Sequence, residues 1–254
     1  MVAALPVPPQ KLRIWVGPFS DAGVFIQSGE EMAADIVRLC ALSPDAHMLE
    51  VGCGCGRLSR AFAAYLSSKG CYEGFDVSRP LIDWCERKLQ PLLPNFHFSH
   101  VDVQAGGHNP QGQVSGSAFR FSFADGLFDV AIVSSVFTHM LPEEIENYAS
   151  EISRVLKPQG NCFMSVFLFD GEAEMAVAKG TTIFDFRHAI GPCLTFDRQQ
   201  PSQGIACRKQ WFVDLLDRSG FQISAVRLGN WRKVRSHKVE QDYVIARKRV
   251  SRAV

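Results

Sequence analysis

The stretch MLEVGCGCGRLSRAF, Met48 to Phe62, decides how the chain folds. A short apolar run meets three glycines at alternate positions, Gly52, Gly54 and Gly56, and an amphipathic run follows. Glycines there let the backbone turn tightly and approach a ligand closely, while the next helix offers free N–H groups to a polar or anionic moiety. The spacing is G-x-G-x-G, not the G-x-G-x-x-G of dinucleotide folds, and Glu50 sits just before it. Cys53 and Cys55 fill the variable positions as a C-x-C pair. No C-x-x-C occurs, so both thiols read as small apolar fillers beside the turn and no metal site is expected.

Working outward, strands alternate with helices. HMLEV is a strand into the glycines and RLSRAFAAYLSS a helix ending near Gly70. CYEGFDV is a second strand, SRPLIDWCERKLQ a helix with Ser78 as its cap and Pro80 in its first turn, and NFHFSHV a third strand. LFDVAIVSS, almost wholly apolar, suits a parallel strand covered on both faces. PEEIENYASEISRVLK is a helix, NCFMSVFLF a strand, RKQWFVDLLDRSG a helix, and FQISAVRLG and DYVIARK the last two strands. Upstream, SGEEMAADIVRLCAL reads as a first helix capped by Ser28. Such repetition predicts an α/β, doubly wound, mostly parallel sheet in one domain, residues 1–254. Residues 1–29 form an N-terminal flap carrying Phe19 and Phe25, and insertions at 104–126 and 170–206 form a substrate lid.

Composition narrows the function. Lys and Arg number 27 against 26 Asp and Glu, so the global basic field of a dedicated nucleic-acid binder is missing. No apolar run approaches the roughly 20 residues that span a bilayer, and the expectation is a soluble, cytoplasmic protein with no membrane partner. Eight cysteines, mostly inside apolar segments, suit reduced buried thiols. Oligomeric state has no signal in the sequence.

Asp76 ends the second strand, Asp102 the third, and Ser134 and Ser135 the fourth. Strand carboxyl ends around the switch point of an open sheet are where such folds bind ligands, and an acid at the position of Asp76 accepts ribose hydroxyls. In order and spacing, LEVGCGCGR, YEGFDVS, VDV, FRFSFADGLFDVAIVSSVFTHM and EISRVLKPQG resemble the motifs of class I S-adenosylmethionine-dependent methyltransferases. The closer likeness is to bacterial members that modify small molecules or sugars.

The resemblance implies a seven-stranded Rossmann-like methyltransferase fold whose last strand is antiparallel, with S-adenosylmethionine as cofactor and a small-molecule substrate. Gly52, Gly54 and Gly56 would pack under the amino-acid and ribose parts, with Cys53 and Cys55 beside them and Glu50 near the ammonium. Asp76 would take the ribose hydroxyls with Val77 against the adenine. Asp102 would take the adenine amino group with Val103 alongside, and Ser134, Ser135 and Phe137 the methionine end, under a flap bearing Phe19. Methyl transfer needs alignment and exclusion of water more than covalent machinery. A hydroxyl acceptor also needs a general base, and the candidates are His139, His188 and Asp185; an amine need only arrive neutral.

Blander readings stand beside these. Asp102 could simply start its loop, and Arg57 could serve only the electrostatics of the turn. His97 and His100 form H-x-x-H in a strand, where they point to opposite faces. GNWRKVRSHK, with Trp231, Arg232, Lys233, Arg235 and Lys238, reads as a solvated loop, or as a contact for an anionic substrate. The leading function is methyl transfer to a hydroxyl or amine of a small molecule. An RNA or protein methyltransferase and a non-enzymatic cofactor-binding scaffold are the alternatives, and the glycine spacing disfavours a nicotinamide enzyme.

Overall fold

The computed structural model describes residues 5–233 and 240–250. A one-turn helix α1 (Gln10–Arg13) leads through a 3-10 turn at Ile14–Val16 to α2 (Ala22–Leu39). There follow β1 (His47–Val51), α3 (Arg57–Phe62), β2 (Cys71–Asp76), α4 (Arg79–Lys88), β3 (Phe96–His100), β4 (Phe128–Val133), α5 (Pro142–Val155), β5 (Leu156–Val166) and β6 (Leu168–Phe169). The chain continues through α6 (Gly171–Ala178), β7 (His188–Ile190), β8 (Cys193–Thr195), β9 (Ile205–Arg208), α7 (Lys209–Arg218), β10 (Phe221–Arg227) and β11 (Asp242–Lys248).

Seven strands form one sheet in the order β10-β11-β5-β4-β1-β2-β3. Pairs β1–β2, β2–β3, β1–β4 and β4–β5 are parallel, and β11 runs antiparallel between β5 and β10. The predicted α/β doubly wound sheet is therefore present, with the last strand as its antiparallel member. Side chains alternate across it: Leu49, Val51, Phe75 and Ala131 pack toward α5 and α7, while Met48, Tyr72, Phe96 and Phe98 pack toward α2, α3 and α4. No helix among the described residues is long and apolar enough to cross a membrane.

Three segments depart from the expected pattern. Helix α3 ends at Phe62 instead of near Gly70. The first long helix starts at Ala22, capped by Asp21, whose carboxylate accepts from the Val24 N–H at 2.9 Å; Ser28 lies inside it and hydrogen-bonds the carbonyl of Phe25. Phe25 is a fully buried residue of this helix, packed edge-on to Phe19 with centroids 5.8 Å apart. The second insertion is largely ordered: β6, β9, β8 and β7 make a small separate sheet. An aromatic cluster of Phe167, Phe169, Phe186 and Trp231 with Phe184 and Phe196 packs together here.

Candidate active site

The apolar run of β1 ends at Val51, and the chain reverses through three residues in the left-handed region, Gly52 (φ +73°), Gly54 (φ +56°) and Gly56 (φ +84°). A β-carbon on Gly54 would stand 2.5 Å from Cγ1 of Val16, because the N-terminal segment lies across the turn. The turn is tied to β2: the N–H groups of Gly52 and Cys53 donate to the carbonyl of Phe75 at 2.8 and 3.0 Å. Asp76 closes the arrangement, accepting from Gly54 N–H at one carboxylate oxygen and from Ser78 N–H at the other, both at 2.8 Å. Ser78 occupies the predicted cap position of α4, yet its side chain makes no capping bond. Burial raises the pKa of Asp76, opposed by its two N–H donors, and each oxygen keeps a lone pair for a further donor.

Around this turn the carboxyl ends of β1, β2 and β4 open into a cavity of 1260 Å³. Its floor holds Glu50, Gly52, Cys53, Gly54, Arg57, Phe75 and Asp76; Val77, Leu81 and Val103 line one side, and Ser134, Ser135 and Val136 the other. Glu50 is buried and accepts from the hydroxyl of Tyr72. Burial pushes its pKa up to about 8, with the nearby Arg57 charge pulling the other way. Arg57 donates to the carbonyl of Ser28 at 3.2 Å and reaches Met32 Sδ and Ser134 Oγ at 3.5 and 3.4 Å. Among the described residues no carboxylate is in ion-pair contact with it, and burial lowers its pKa. A desolvated cation of this kind on a cavity wall is matched to an anionic ligand group. Ser135 sits at φ +59°, held by its N–H to Ser165 Oγ at 2.8 Å and its hydroxyl to Gln241 at 3.2 Å, a left-handed non-glycine residue at the cavity edge.

Four segments meet over the mouth. Trp15 of the N-terminal segment stands edge-on to His108 of the first insertion, with centroids 5.7 Å apart, and His108 edge-on to His139 at 6.1 Å. Nδ1 of His139 lies 2.8 Å from the carbonyl oxygen of Ser202 in the second insertion. A carbonyl only accepts, so this partner assigns the proton to Nδ1 and leaves Nε2 as the basic nitrogen. Burial lowers the pKa of His139, with the Ser202 hydrogen bond acting in the opposite sense.

The cavity wall gathers Phe19, Glu50, Gly52, Cys53, Gly54, Asp76, Val77, Val103, Ser134, Ser135 and His139 of the residues singled out from the sequence. Others fall elsewhere. Phe137 is buried in the core against Phe212, and Cys55 packs with Phe25 and Leu81. Gly56 closes the turn behind the cavity against Leu89. Asp102 is exposed and accepts from Asn109 Nδ2 at 3.3 Å. Asp185 is exposed and ion-paired with Arg187, and His188 lies in β7, outside the wall. Phe186 is buried in the aromatic cluster while Asp185 and Arg187 on either side of it are exposed. Trp231 and Arg232 are buried rather than solvated, while Arg235 and Lys238 lie outside the described residues. Arg57, His108, Glu144 and Tyr148 line the cavity without having been chosen. Only Arg57 had a local signal, as the residue directly after the glycine turn.

Comparisons with known proteins bear on this geometry. The family model described as a methyltransferase domain matches residues 48–160. A SAM-dependent methyltransferase from Methanosarcina mazei superimposes with a TM-score of 0.54 at 20% identity, over 85% of this chain and 98% of that one. Magnesium protoporphyrin IX methyltransferase from Synechocystis, solved with bound SAH, gives 0.57 at 15% identity over 88% and 85%. The [4+2]-cyclase SpnF gives 0.58 at 17% identity over 89% and 82%. Residues 48–160 thus match the methyltransferase-domain model, and the chain is built on the Rossmann-like fold of S-adenosylmethionine-dependent methyltransferases.

Proposed function

We propose that the protein transfers a methyl group from S-adenosylmethionine to a hydroxyl of a small molecule, with His139 as general base. The donor groups of the cavity fit that cofactor. Arg57, which makes no ion-pair contact with a carboxylate among the described residues, suits its carboxylate, and Glu50 its ammonium. Asp76 has lone pairs for two hydroxyls, and Val77 and Val103 offer apolar surface for a flat base. The cofactor supplies an activated methyl on a sulfonium; the chain supplies binding, alignment and a dry site.

One observation supports the hydroxyl acceptor. His139 lines the cavity with Nδ1 bonded to a carbonyl, which leaves Nε2 as the basic nitrogen to take a proton, and burial lowers the ring's pKa. The enclosure favours a small acceptor: the contacts among Trp15, His108, His139 and Ser202 tie together the flap, both insertions and the loop after β4, which we read as a substrate lid. A polymer would have to separate them.

The test is incubation with methyl-labelled S-adenosylmethionine and matched panels of small hydroxyl and amine acceptors, RNA and protein. Label in a hydroxyl compound, reduced in His139→Ala, is expected. Label confined to RNA or protein, or turnover indifferent to His139, would overturn the reading. Binding of the cofactor with no transfer to any panel would favour the scaffold alternative, and the likeness to a cyclase is a reason to assay transfer directly.

A further inference from the structure

Away from the cavity, at the amino ends of the strands, three side chains of different chemistry converge on one face of the sheet. Tyr72, Phe96 and Phe98 point toward α2, α3 and α4, so the intervening Cys71, Glu73 and His97 point to the opposite face. Glu73 and His97 are direct register partners on the parallel strands β2 and β3, and Cys71 is two residues before Glu73. Their ligand atoms all lie within 4.8 Å of one another, and the Cys71 thiol donates to Glu73 Oε1 at 3.8 Å.

We propose that Cys71, Glu73 and His97 bind a divalent transition-metal ion of the zinc type through thiolate, carboxylate and imidazole, with water in the fourth position. A tetrahedral ion with typical zinc–sulfur and zinc–oxygen bonds needs those two donors about 3.6 Å apart. The observed 3.8 Å therefore requires only a small contraction. The donor set selects the ion: thiolate and imidazole favour zinc-like metals over magnesium or calcium, which take oxygen ligands. Access is open, since His97 is exposed and Cys71 and Glu73 are half-buried. Of the eight cysteines Cys71 alone is not buried, so the thiol in the cluster is also the one a solvated ion reaches. His47 is the register partner of Cys71 on β1. The site ties β2 to the edge strand β3 and lies outside the cavity, which predicts a structural ion rather than a reacting one. The proton on the thiol leaves to solvent when the metal binds.

Cobalt(II) alone, added to the full chain purified without a histidine tag, is the direct probe. One equivalent is expected to give tetrahedral d–d absorption and a thiolate-to-cobalt charge-transfer band, both displaced by zinc. Cys71→Ser should abolish the charge-transfer band, and His97→Gln or Glu73→Gln should weaken binding by at least roughly tenfold. Because His97 is exposed, that variant keeps the test sound should the cysteine variant fold poorly. No band in the parent protein, or a band and affinity that survive both Cys71→Ser and His97→Gln, overturns the site. S-adenosylmethionine binding is expected to be the same with and without zinc.

Discussion

Asp242, completely buried, grips the equally buried guanidinium of Arg232 with both carboxylate oxygens, at 2.6 Å from Nη1 and 3.0 Å from Nη2. The same carboxylate accepts from Trp231 Nε1 at 2.9 Å and from the backbone N–H groups of Leu168 and Gly229 at 2.8 Å each. Arg232 in turn donates to the carbonyl of Leu168 at 2.5 Å. These two charges thus join β11 of the main sheet, β6 of the small sheet and the loop before β11.

Asp242→Ala leaves the buried guanidinium with only Asp170, 3.7 Å from its Nε, as counter-charge, and leaves two backbone N–H groups unsatisfied, which predicts a loss of about 3 kcal/mol. Urea unfolding should show it as a lowered midpoint. Limited proteolysis should show new cleavage between residues 170 and 206, where the small sheet loses its anchor. A midpoint within the error of the parent would contradict the anchoring role.

This pair also shows where sequence reading stops. The glycine turn and Asp76 were legible because their constraint is local: a strand, a tight reversal, and an acid at the end of the next strand. The run around Trp231 and Arg232 looked like a solvated basic loop, since the partner that buries it, Asp242, follows only after the loop and gains its meaning from pairing with β6. The start of α2 at Ala22 is not legible in the sequence because Gly23 and Gly29 weaken the helical pattern, and packing overrides propensity. A β-carbon on Gly29 would meet the carbonyl of Arg57 at 2.6 Å, so that glycine serves the approach of the helix to the turn. Cys71, Glu73 and His97 were invisible as a group because only the register of two parallel strands unites them.

Asp76 makes the most direct test of the cofactor site. Asp76→Ala removes the acceptor proposed for both ribose hydroxyls. Two charge-assisted hydrogen bonds at roughly 1.5 kcal/mol each set a loss of affinity of at least about 100-fold. Calorimetric titration with S-adenosylmethionine reads this directly, and an unchanged dissociation constant would remove Asp76 from the site.

Cys53 and Cys55 should resist alkylation. Both are buried and burial raises both thiol pKa values, so little thiolate forms at neutral pH. Burial and the Glu73 carboxylate raise the Cys71 thiol as well, so native protein treated briefly with iodoacetamide should label slowly, and what label it takes should map to Cys71, the half-buried thiol. Rapid label on Cys53 or Cys55 would mean that the turn opens far more readily than its hydrogen bonds imply.

Glu50 should make the stability of the free protein depend on pH. Its folded pKa is about 8, raised mainly by burial, against about 4.3 for an unfolded glutamate. Between those values the folded state holds a proton that the unfolded state has released. The stabilisation is therefore full below about pH 4.3 and falls as pH rises toward 8. Glu50→Gln, a neutral mimic of the protonated form, should flatten this part of the profile in denaturant titrations. A cofactor ammonium placed beside Glu50 would favour the carboxylate, so binding at pH 7 should release protons. Calorimetry in buffers of different ionisation enthalpy would expose the release, and its absence would place the ammonium elsewhere.

His139 sets the final expectation, because tautomer and pKa act together. With Nδ1 donating to Ser202, Nε2 is basic only while the ring is neutral, and burial lowers the pKa below the usual value of 6.5. Activity limited by this base falls as pH drops through the lowered pKa, so the acidic limb of kcat/KM should lie below about pH 6.5. His139→Ala should reduce kcat by roughly 10²–10⁴-fold and erase that limb, with cofactor affinity preserved because His139 is not among the proposed cofactor contacts, Glu50, Arg57, Asp76, Val77 and Val103. Loss of rate together with loss of cofactor binding would indicate a structural role. Loss of rate with the limb intact would assign the titration to another group and leave His139 to close the mouth against Ser202.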